Sequence, residues 1–259
     1  MTREIMYPPA KRDREAALNP YLRYVLRPPS FPLAVFLHAR GISADQVTVA
    51  SGVLLGLSLL VGACAPLAGG AATGVFVLAV LGINIYWFMD TLDGNIARLA
   101  QQESPFGQYL ENALYLTAGF ATALLAGWFA VMHAPIAEGW EQTTGLPALA
   151  LAGLGILTAL ARLYRRALLE MGERILDKTC PPEDQDLSRL SGPMRLLYAV
   201  SGAHLPLLLL AALLHAVPVW LVFYAALTTA TIIYAPVSVL RRLRKRPSPP
   251  KPTQPQVRP

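Results

Sequence analysis

The sequence predicts an all-α integral membrane protein with six transmembrane helices and an N-terminal amphipathic segment in the membrane interface. Composition is the first reason: 15% of the 259 residues are charged, 54% are hydrophobic, and the mean hydropathy is +0.42. An average soluble domain carries about 25% charged residues. The second reason is a set of six apolar segments close to the ~20 residues that a spanning helix needs. The third is the placement of the basic residues between those segments.

The apolar segments follow a polar N-terminal region. The predicted spans are Val47–Cys64, Thr73–Asp90, Gly107–His133, Leu146–Ala161, Leu196–Leu214 and Val217–Leu240. Residues 1–40 contain six prolines and do not resemble a cleavable signal peptide. Within them, residues 21–40 mix aromatic and aliphatic side chains with Arg and His, which suits an interfacial segment; a loosely ordered basic arm fits equally well.

This pattern divides the chain into three parts. Residues 1–40 form a cytoplasmic or interfacial N-terminal segment, and residues 41–240 form the six-helix membrane domain. Residues 241–259 are basic and rich in proline, and they are predicted to form a disordered cytoplasmic tail.

The basic residues all fall on one predicted side of the membrane. Seven precede the first span, one follows the second, seven separate the fourth from the fifth, and seven lie in the tail, which accounts for all 22. The connections on the other side contain no Lys or Arg. Because cytoplasmic loops carry an excess of basic residues, both termini are predicted to be cytoplasmic.

Composition also excludes several classes of protein. The low charge content excludes disorder over most of the chain, and two cysteines exclude a disulfide scaffold. The net charge of +6 could indicate nucleic acid as a partner, but the membrane topology already explains it. We therefore expect membrane lipids, and no nucleic acid, as partners.

Three carboxylates stand at the predicted cytoplasmic ends of the second and third spans: Asp90, Asp93 and Glu111. A charged side chain at membrane depth costs about 2.5–3.5 kcal/mol or more, so such residues usually have a function. Asp90 and Asp93 share one helix face with Gly94 and Ala97 by their spacing. The alternative is that these carboxylates are hydrated at the helix ends and bind nothing.

The next helix repeats the arrangement, because Gly107, Glu111 and Tyr115 follow one another at intervals of four residues. A short polar turn joins the two helices, so they are predicted to be antiparallel neighbours whose facing surfaces bring the three carboxylates together. Hard divalent cations with oxygen ligands, Mg²⁺ or Mn²⁺, would neutralise this charge. Metal beside carboxylates in turn suggests a phosphate-bearing substrate. The active site is therefore expected on the cytoplasmic side.

These residues resemble the motif of the CDP-alcohol phosphotransferase family, D-x2-D-G-x2-A-R-x8-G-x3-D-x3-D. Six positions match with all spacings kept: Asp90, Asp93, Gly94, Ala97, Arg98 and Gly107. The family often has Pro-Asn-x-x-Thr at the start of the first span, where this chain has the segment 44–48, with Asp45 and Thr48. The resemblance covers about residues 21–240 and is strongest over 45–115.

The resemblance implies an enzyme of phospholipid biosynthesis that transfers a substituted phosphate, such as phosphatidyl, from a CDP-linked donor to an alcohol and releases CMP. It implies that Asp90, Asp93 and Glu111 bind metal, with two ions expected. It also implies a pocket for the CDP moiety, lined by Asp45, Thr48, Gly94, Ala97, Arg98 and Gly107. A homodimer would fit the family.

The chain departs from the motif at its last two acidic positions. Glu111 stands in the third, where it could still bind metal, and Tyr115 stands in the fourth, where the family has the Asp thought to deprotonate the acceptor. A phenol ordinarily keeps its proton at pH 7 and is a poor base. From their positions in the motif, the resemblance still implies catalytic roles for Glu111 and, at the base position, for Tyr115.

Arginines after the fourth span suggest the acceptor. Arg162, Arg165 and Arg166 resemble the basic stretch that members using phosphorylated polyols present near the acceptor pocket, and arginine suits bidentate phosphate binding. Anchoring by the positive-inside rule is an equally good explanation.

Two other functions stay open. The chain could be a catalytically impaired family member that binds nucleotide or lipid as a regulator or subunit. It could also be an intramembrane prenyltransferase, for which residues 183–186 would be the second acidic motif.

Overall fold

The computed structural model describes residues 2–102, 104–177, 196 and 199–244, and every regular element in these ranges is helical. The α-helices are α1 (Thr2–Met6), α2 (Pro9–Leu18), α3 (Arg27–Ala39), α4 (Ala44–Cys64), α5 (Ala72–Ala100), α6 (Pro105–Met132), α7 (Ala134–Thr144), α8 (Leu149–Asp177), α9 (His204–Leu213) and α10 (Val217–Arg244). A π-helical turn, Leu22–Leu26, precedes α3, and a 3₁₀ segment, Ala65–Ala71, joins α4 to α5. The all-α prediction is confirmed for this part of the chain.

Only some of the six predicted spans are long enough in the described ranges to cross a membrane. Within the described ranges, Ala44–Ala100 and Pro105–Met132 are long and apolar enough to cross a membrane. The pair Ala134–Thr144 and Leu149–Leu168, bent by 98°, would raise the number to three. The apolar helices near the C-terminus, His204–Leu213 and Val217–Ile232, are shorter. The count of six spans therefore stays a prediction.

Helices α4 and α5 fold back on each other as an antiparallel pair. Ser43 is the N-cap of α4 and forms a capping box. Its hydroxyl accepts a hydrogen bond from the Gln46 backbone N–H, and the Gln46 side-chain oxygen accepts one from the Ser43 backbone N–H. The chain reverses at Gly69, whose φ of 54° and ψ of −125° suit glycine alone. Gly62 then lies against Ala79, and Thr48 lies against Asp93, so the helices pair along their length.

Helix α6 runs antiparallel to α5, as the short turn predicts, but the expectation that the two helices pack face to face along their length is wrong. It packs mainly against α4 and α8, and its contact with α5 is confined to places such as the stacked rings of Phe76 and Phe129. Gly52 of α4 lies against Leu114, and Gly62 lies against Leu125, so α4 and α6 run in the same direction. The small residues of α4 thus face both neighbours and place this helix between the two halves of the motif.

The core and the two ends of the chain complete the fold. The main cluster of buried side chains joins α4, α5 and α6 to α9 and α10, and includes the stacked rings of Phe76 and Phe129. A smaller cluster packs α1 and α3 onto the end of α5. Helix α10 continues past the predicted boundary at Leu240 to Arg244, so residues 241–244 are helical rather than disordered. The predicted tail after them and residues 183–186 lie outside the described residues.

Candidate active site

The motif carboxylate Asp93 is buried against the start of α4. Asp93 is 3% exposed, and its Oδ2 accepts a hydrogen bond of 2.7 Å from the Thr48 hydroxyl. Its Oδ1 is buried and has no hydrogen-bond partner among the described residues. Asp90 lies one turn earlier and is partly buried. A buried carboxylate oxygen without a donor is costly unless a ligand or cation satisfies it.

Asp45 ties the first residues of α4 to the first turn of α6. Both of its carboxylate oxygens accept from the Ser104 hydroxyl, at 2.8 and 2.9 Å, and Ser104 in turn accepts from the Gly107 amide at 2.8 Å. Ser104 is the N-cap of α6, with proline at the next position. A Cβ on Gly107 would lie 2.5 Å from Asp45 Oδ1. The motif glycine therefore leaves room for a carboxylate.

Gly94 plays the same part for Arg98. A Cβ at Gly94 would lie 3.2 Å from Arg98 Nη2, so the guanidinium lies across the glycine one turn before it. Arg98 donates through Nε to the Met6 carbonyl at 2.8 Å and through Nη2 to Asn95 Oδ1 at 3.0 Å. Ala97 lies on the same turn and is partly buried. The small motif residues thus keep the surface of α5 open around Asp90 and Asp93.

Glu111 and Tyr115 lie on the solvent-accessible side of α6. Glu111 is exposed and Tyr115 is 46% exposed. The charge of Glu111 acts on both Asp90 and Asp93, yet no three Asp, Glu, His or Cys side chains of the described ranges are placed to hold one metal ion. The predicted convergence of Asp90, Asp93 and Glu111 on one metal site therefore stays a prediction.

The arginines of α8 gather beside Tyr115. Arg162 donates to the Tyr224 hydroxyl and lies against Gly119, one turn beyond Tyr115. Arg166 lies 6.0 Å from the centre of the Tyr115 ring. It also donates to Glu170 at 2.6 Å and to Asn112 at 3.3 Å. Arg165 is partly buried, and its charge acts on Tyr224. Of the three predicted arginines, Arg166 thus contacts the ring at the predicted base position, and Arg162 lies one turn along α6 from it.

A second polar network, which the sequence pattern does not predict, lies at the N-terminal segment. Glu15 and Arg27 form a buried ion pair that reaches Asn95 of α5. Lys11 of α2 is partly buried, and burial, with the nearby charges of Arg98 and Arg27, lowers its pKa to about 8. The signal available in the sequence is a polar residue, Asn95, on the buried side of a membrane-spanning helix.

The residues present fit a divalent cation at Asp90 and Asp93. Asp93 Oδ1 is buried and has no hydrogen-bond partner among the described residues, so it could serve as a hard oxygen ligand. Asp90 adds a second carboxylate one turn away. Oxygen ligands of this kind suit Mg²⁺ or Mn²⁺. Glu111 is exposed, and its charge acts on both carboxylates of this pair. Its role as a ligand stays a prediction.

Comparison with known proteins identifies the family of this chain. The family model for CDP-alcohol phosphatidyltransferase matches residues 42–175, from the start of α4 into α8. The chain belongs to the CDP-alcohol phosphatidyltransferase family. A phosphatidylinositol phosphate synthase from Streptomyces avermitilis is 32% identical over 123 residues, which is 46% of this chain and 45% of that protein. The aligned part thus spans about half the length of this curated relative.

Proposed function

We propose that this member of the CDP-alcohol phosphatidyltransferase family transfers a phosphatidyl group from CDP-diacylglycerol to an alcohol and releases CMP. The observation that carries the proposal is Asp93, which is buried, held by Thr48 through one oxygen and unpaired at the other. A ligand, or a cation supplied with it, would satisfy this oxygen. A donor pyrophosphate that binds together with a divalent ion meets that requirement.

The donor site is assigned to the face of α5 and the start of α4. Asp90 and Asp93 would hold Mg²⁺ or Mn²⁺, with Glu111 as a further ligand. Asp45, Thr48, Gly94, Ala97, Arg98 and Gly107 would surround the CDP moiety. When bound, the metal would supply electrophilic stabilisation of charge on the pyrophosphate. The small residues would allow the nucleotide to approach the helix backbone, and the Asp45–Ser104–Gly107 contact ties the start of α4 to the first turn of α6.

The reaction exchanges the phosphoanhydride bond of the donor for a phosphate ester bond to the acceptor. The acceptor hydroxyl oxygen forms a bond to the phosphorus that carries the lipid, and the P–O bond to CMP breaks with its electron pair going to CMP. The hydroxyl proton must leave to a base. Glu111 and Tyr115, on the open face of α6, are the side chains assigned to this region. The arrangement keeps CMP in water while the acyl chains stay in lipid.

A phosphorylated polyol is the proposed acceptor. The observation in its favour is the group formed by Arg162, Arg165 and Arg166 beside Tyr115. Planar guanidinium groups bind phosphate oxygens in pairs. The curated relative from Streptomyces avermitilis is named for the synthesis of phosphatidylinositol phosphate, which supports an acceptor of this class.

The test is CMP release by the purified protein with CDP-diacylglycerol, with Mg²⁺ or Mn²⁺, and with a panel of acceptors that includes inositol phosphate, glycerol phosphate, inositol and serine. We expect the highest rate with a phosphorylated polyol and no rate in EDTA. Asp93→Asn should abolish release, whereas Glu138→Gln, at an exposed acid of α7, should not change it. Undiminished release by Asp93→Asn would contradict the proposal.

A second candidate, a binding protein without turnover, is favoured by Tyr115 itself. Its hydroxyl replaces a carboxylate at the base position, and its ring lies near the Arg166 guanidinium. If this second function holds, the wild type binds CDP with Mg²⁺ but releases no CMP with any acceptor, and Tyr115→Asp gains activity. If the first holds, Tyr115→Phe lowers kcat while the Kd for CDP stays within about twofold.

The remaining proposals concern placement and assembly. We expect six spans, with both termini and the active site in the cytoplasm, two bound divalent ions, membrane lipids as partners and a homodimer.

A further inference from the structure

A buried ion pair joins the N-terminal segment to the motif helix. Arg27 is 4% exposed and Glu15 is 7% exposed. Arg27 donates through Nη2 to Glu15 Oε1 at 2.6 Å and through Nε to Glu15 Oε2 at 3.0 Å, which is a bidentate pairing. The Tyr7 hydroxyl adds a hydrogen bond of 3.0 Å to Glu15 Oε2. None of these residues belongs to the family motif.

The third guanidinium nitrogen of Arg27 reaches α5. Nη1 donates to Asn95 Oδ1 at 2.8 Å and lies 3.4 Å from the Thr91 carbonyl. Asn95 is fully buried, and its amide nitrogen donates to the Ser30 hydroxyl at 2.8 Å. Ser30 in turn donates to the Arg27 carbonyl. These bonds define which end of the Asn95 amide carries oxygen, and they point that oxygen at the arginines.

The same oxygen holds Arg98. Asn95 Oδ1 accepts from Arg98 Nη2 at 3.0 Å as well as from Arg27 Nη1. Two guanidinium groups therefore meet at one amide oxygen, and their like charges repel. Glu15 offsets the charge of Arg27, which keeps Arg98 from being driven away. The Met6 carbonyl fixes the far side of Arg98, and Gly94 leaves the space that its guanidinium occupies.

Stability alone is a poor reason for such a network, because the desolvation of a buried ion pair often exceeds its Coulombic gain. The network does fix one geometry, that of a motif arginine lying over the motif glycine. We propose that Glu15, Arg27 and Asn95 are positioning residues of the donor site, and that they hold Arg98 in the orientation that binds the CDP-linked donor. This inference rests on the proposed function and gives the N-terminal segment a part in it.

The test compares variants that keep or break the acceptor at residue 95. Asn95→Ala removes it and should raise the KM for CDP-diacylglycerol about tenfold, the lower range for partners that orient binding groups, with kcat changed less than threefold. Asn95→Asp keeps an oxygen for both arginines and should stay within about threefold of the wild-type KM. Arg27→Lys keeps a positive charge for Glu15 but loses the guanidinium nitrogens that bind Glu15 and Asn95 together, so it should raise KM as Asn95→Ala does.

Ser58→Ala is the control for loss of a buried polar group. Ser58 is 6% exposed and donates to the Leu54 carbonyl, and it lies ten residues, about 15 Å, along α4 from Thr48. It should lower Tm without changing KM. The Kd of CDP with Mg²⁺, measured by calorimetry, should follow the same order as KM.

The outcomes separate the two proposals. A wild type that neither transfers nor binds CDP refutes the proposed function and this inference together. A wild type that transfers, with Asn95→Ala and Arg27→Lys at the wild-type KM, refutes the positioning role alone. Equal KM increases in Asn95→Ala, Asn95→Asp and Ser58→Ala would also refute it, since they would report loss of structure.

Discussion

Lys11 lies on α2, partly buried, where the charges of Arg98, Arg27, Glu15 and Glu111 all act on it. Burial is the main cause that lowers its pKa to about 8, and the two arginines add to it. We expect the rate of labelling by a small amine reagent to reach half its maximum near pH 8, as mapped by mass spectrometry. In urea-denatured protein the midpoint should return to about 10.4.

Lys11 also makes the free energy of unfolding depend on pH. A lysine with a lowered pKa binds fewer protons in the folded state, so it makes the free energy of unfolding rise with pH between about 8 and 10.5. Because the Glu111 charge raises this pKa, Glu111→Gln should move the labelling midpoint below that of the wild type. A midpoint near 10.4 in the folded protein would show that Lys11 is solvated.

Tyr86 presents a buried hydroxyl without a partner in the described part of the chain. It is 2% exposed and stands one turn before Asp90 on α5. Removing an unsatisfied buried hydroxyl costs no hydrogen bond. We expect Tyr86→Phe to have a Tm equal to or above the wild type. Tyr224→Phe, which loses the bond from Arg162, should have a lower Tm. Equal losses in both variants would contradict this reading.

At the residue scale, the motif predicted the contents of the site but not the contacts behind it. Spacing on one helix placed Asp90, Asp93 and Gly94 together, since helical geometry is local. The Thr48–Asp93 bond needs residues 45 positions apart, and the Arg27–Asn95 bond needs residues 68 apart. Such pairings depend on how helices dock, and no single-helix pattern contains that information.

Helix pairing depends on which faces carry small residues. The short turn predicted that α5 and α6 would pack together, but α6 instead meets α8 through glycines. A Cβ on Gly155 of α8 would lie 2.8 Å from the Ala123 carbonyl and 3.1 Å from Gly127 Cα. Close backbone approach of this kind is common between membrane helices. Turn length predicts which helices are connected, whereas small-residue surfaces decide which ones touch.

Two glycine substitutions on α8 test this packing. Gly155→Ala must push α6 and α8 apart, because the new methyl group meets backbone rather than a movable side chain. It should lower the free energy of unfolding by about 1–3 kcal/mol. Gly153→Ala, where a Cβ meets nothing within 4 Å, should raise it by up to about 1 kcal/mol through helix propensity. Thermal unfolding in detergent measures both, and equal effects would contradict the close approach.

At the scale of the whole molecule, one end of the bundle holds the motif carboxylates and their polar contacts. The Thr48–Asp93 bond, the Asp45–Ser104 bond and the N-terminal network all lie where α4 begins and α5 ends. The opposite end is the 3₁₀ segment Ala65–Ala71. Because α4 has 21 residues, the two ends are about 31 Å apart along its axis. That distance matches the hydrocarbon thickness of a bilayer, about 30 Å.

The distribution of basic residues predicts that the end of the bundle that holds Asp93 faces the cytoplasm. Cysteine labelling tests this prediction. In a background of Cys64→Ala and Cys180→Ala, a cysteine is placed at Gly70 or Gln102, both exposed. Gly70→Cys should react with a membrane-impermeant maleimide in intact cells. Gln102→Cys should react only after the membrane is opened, because α4 and α5 carry it to the end that holds Asp93. The reverse pattern would place the active site outside and contradict the positive-inside assignment. Labelling of both sites in intact cells would mean that this helix pair does not cross the membrane.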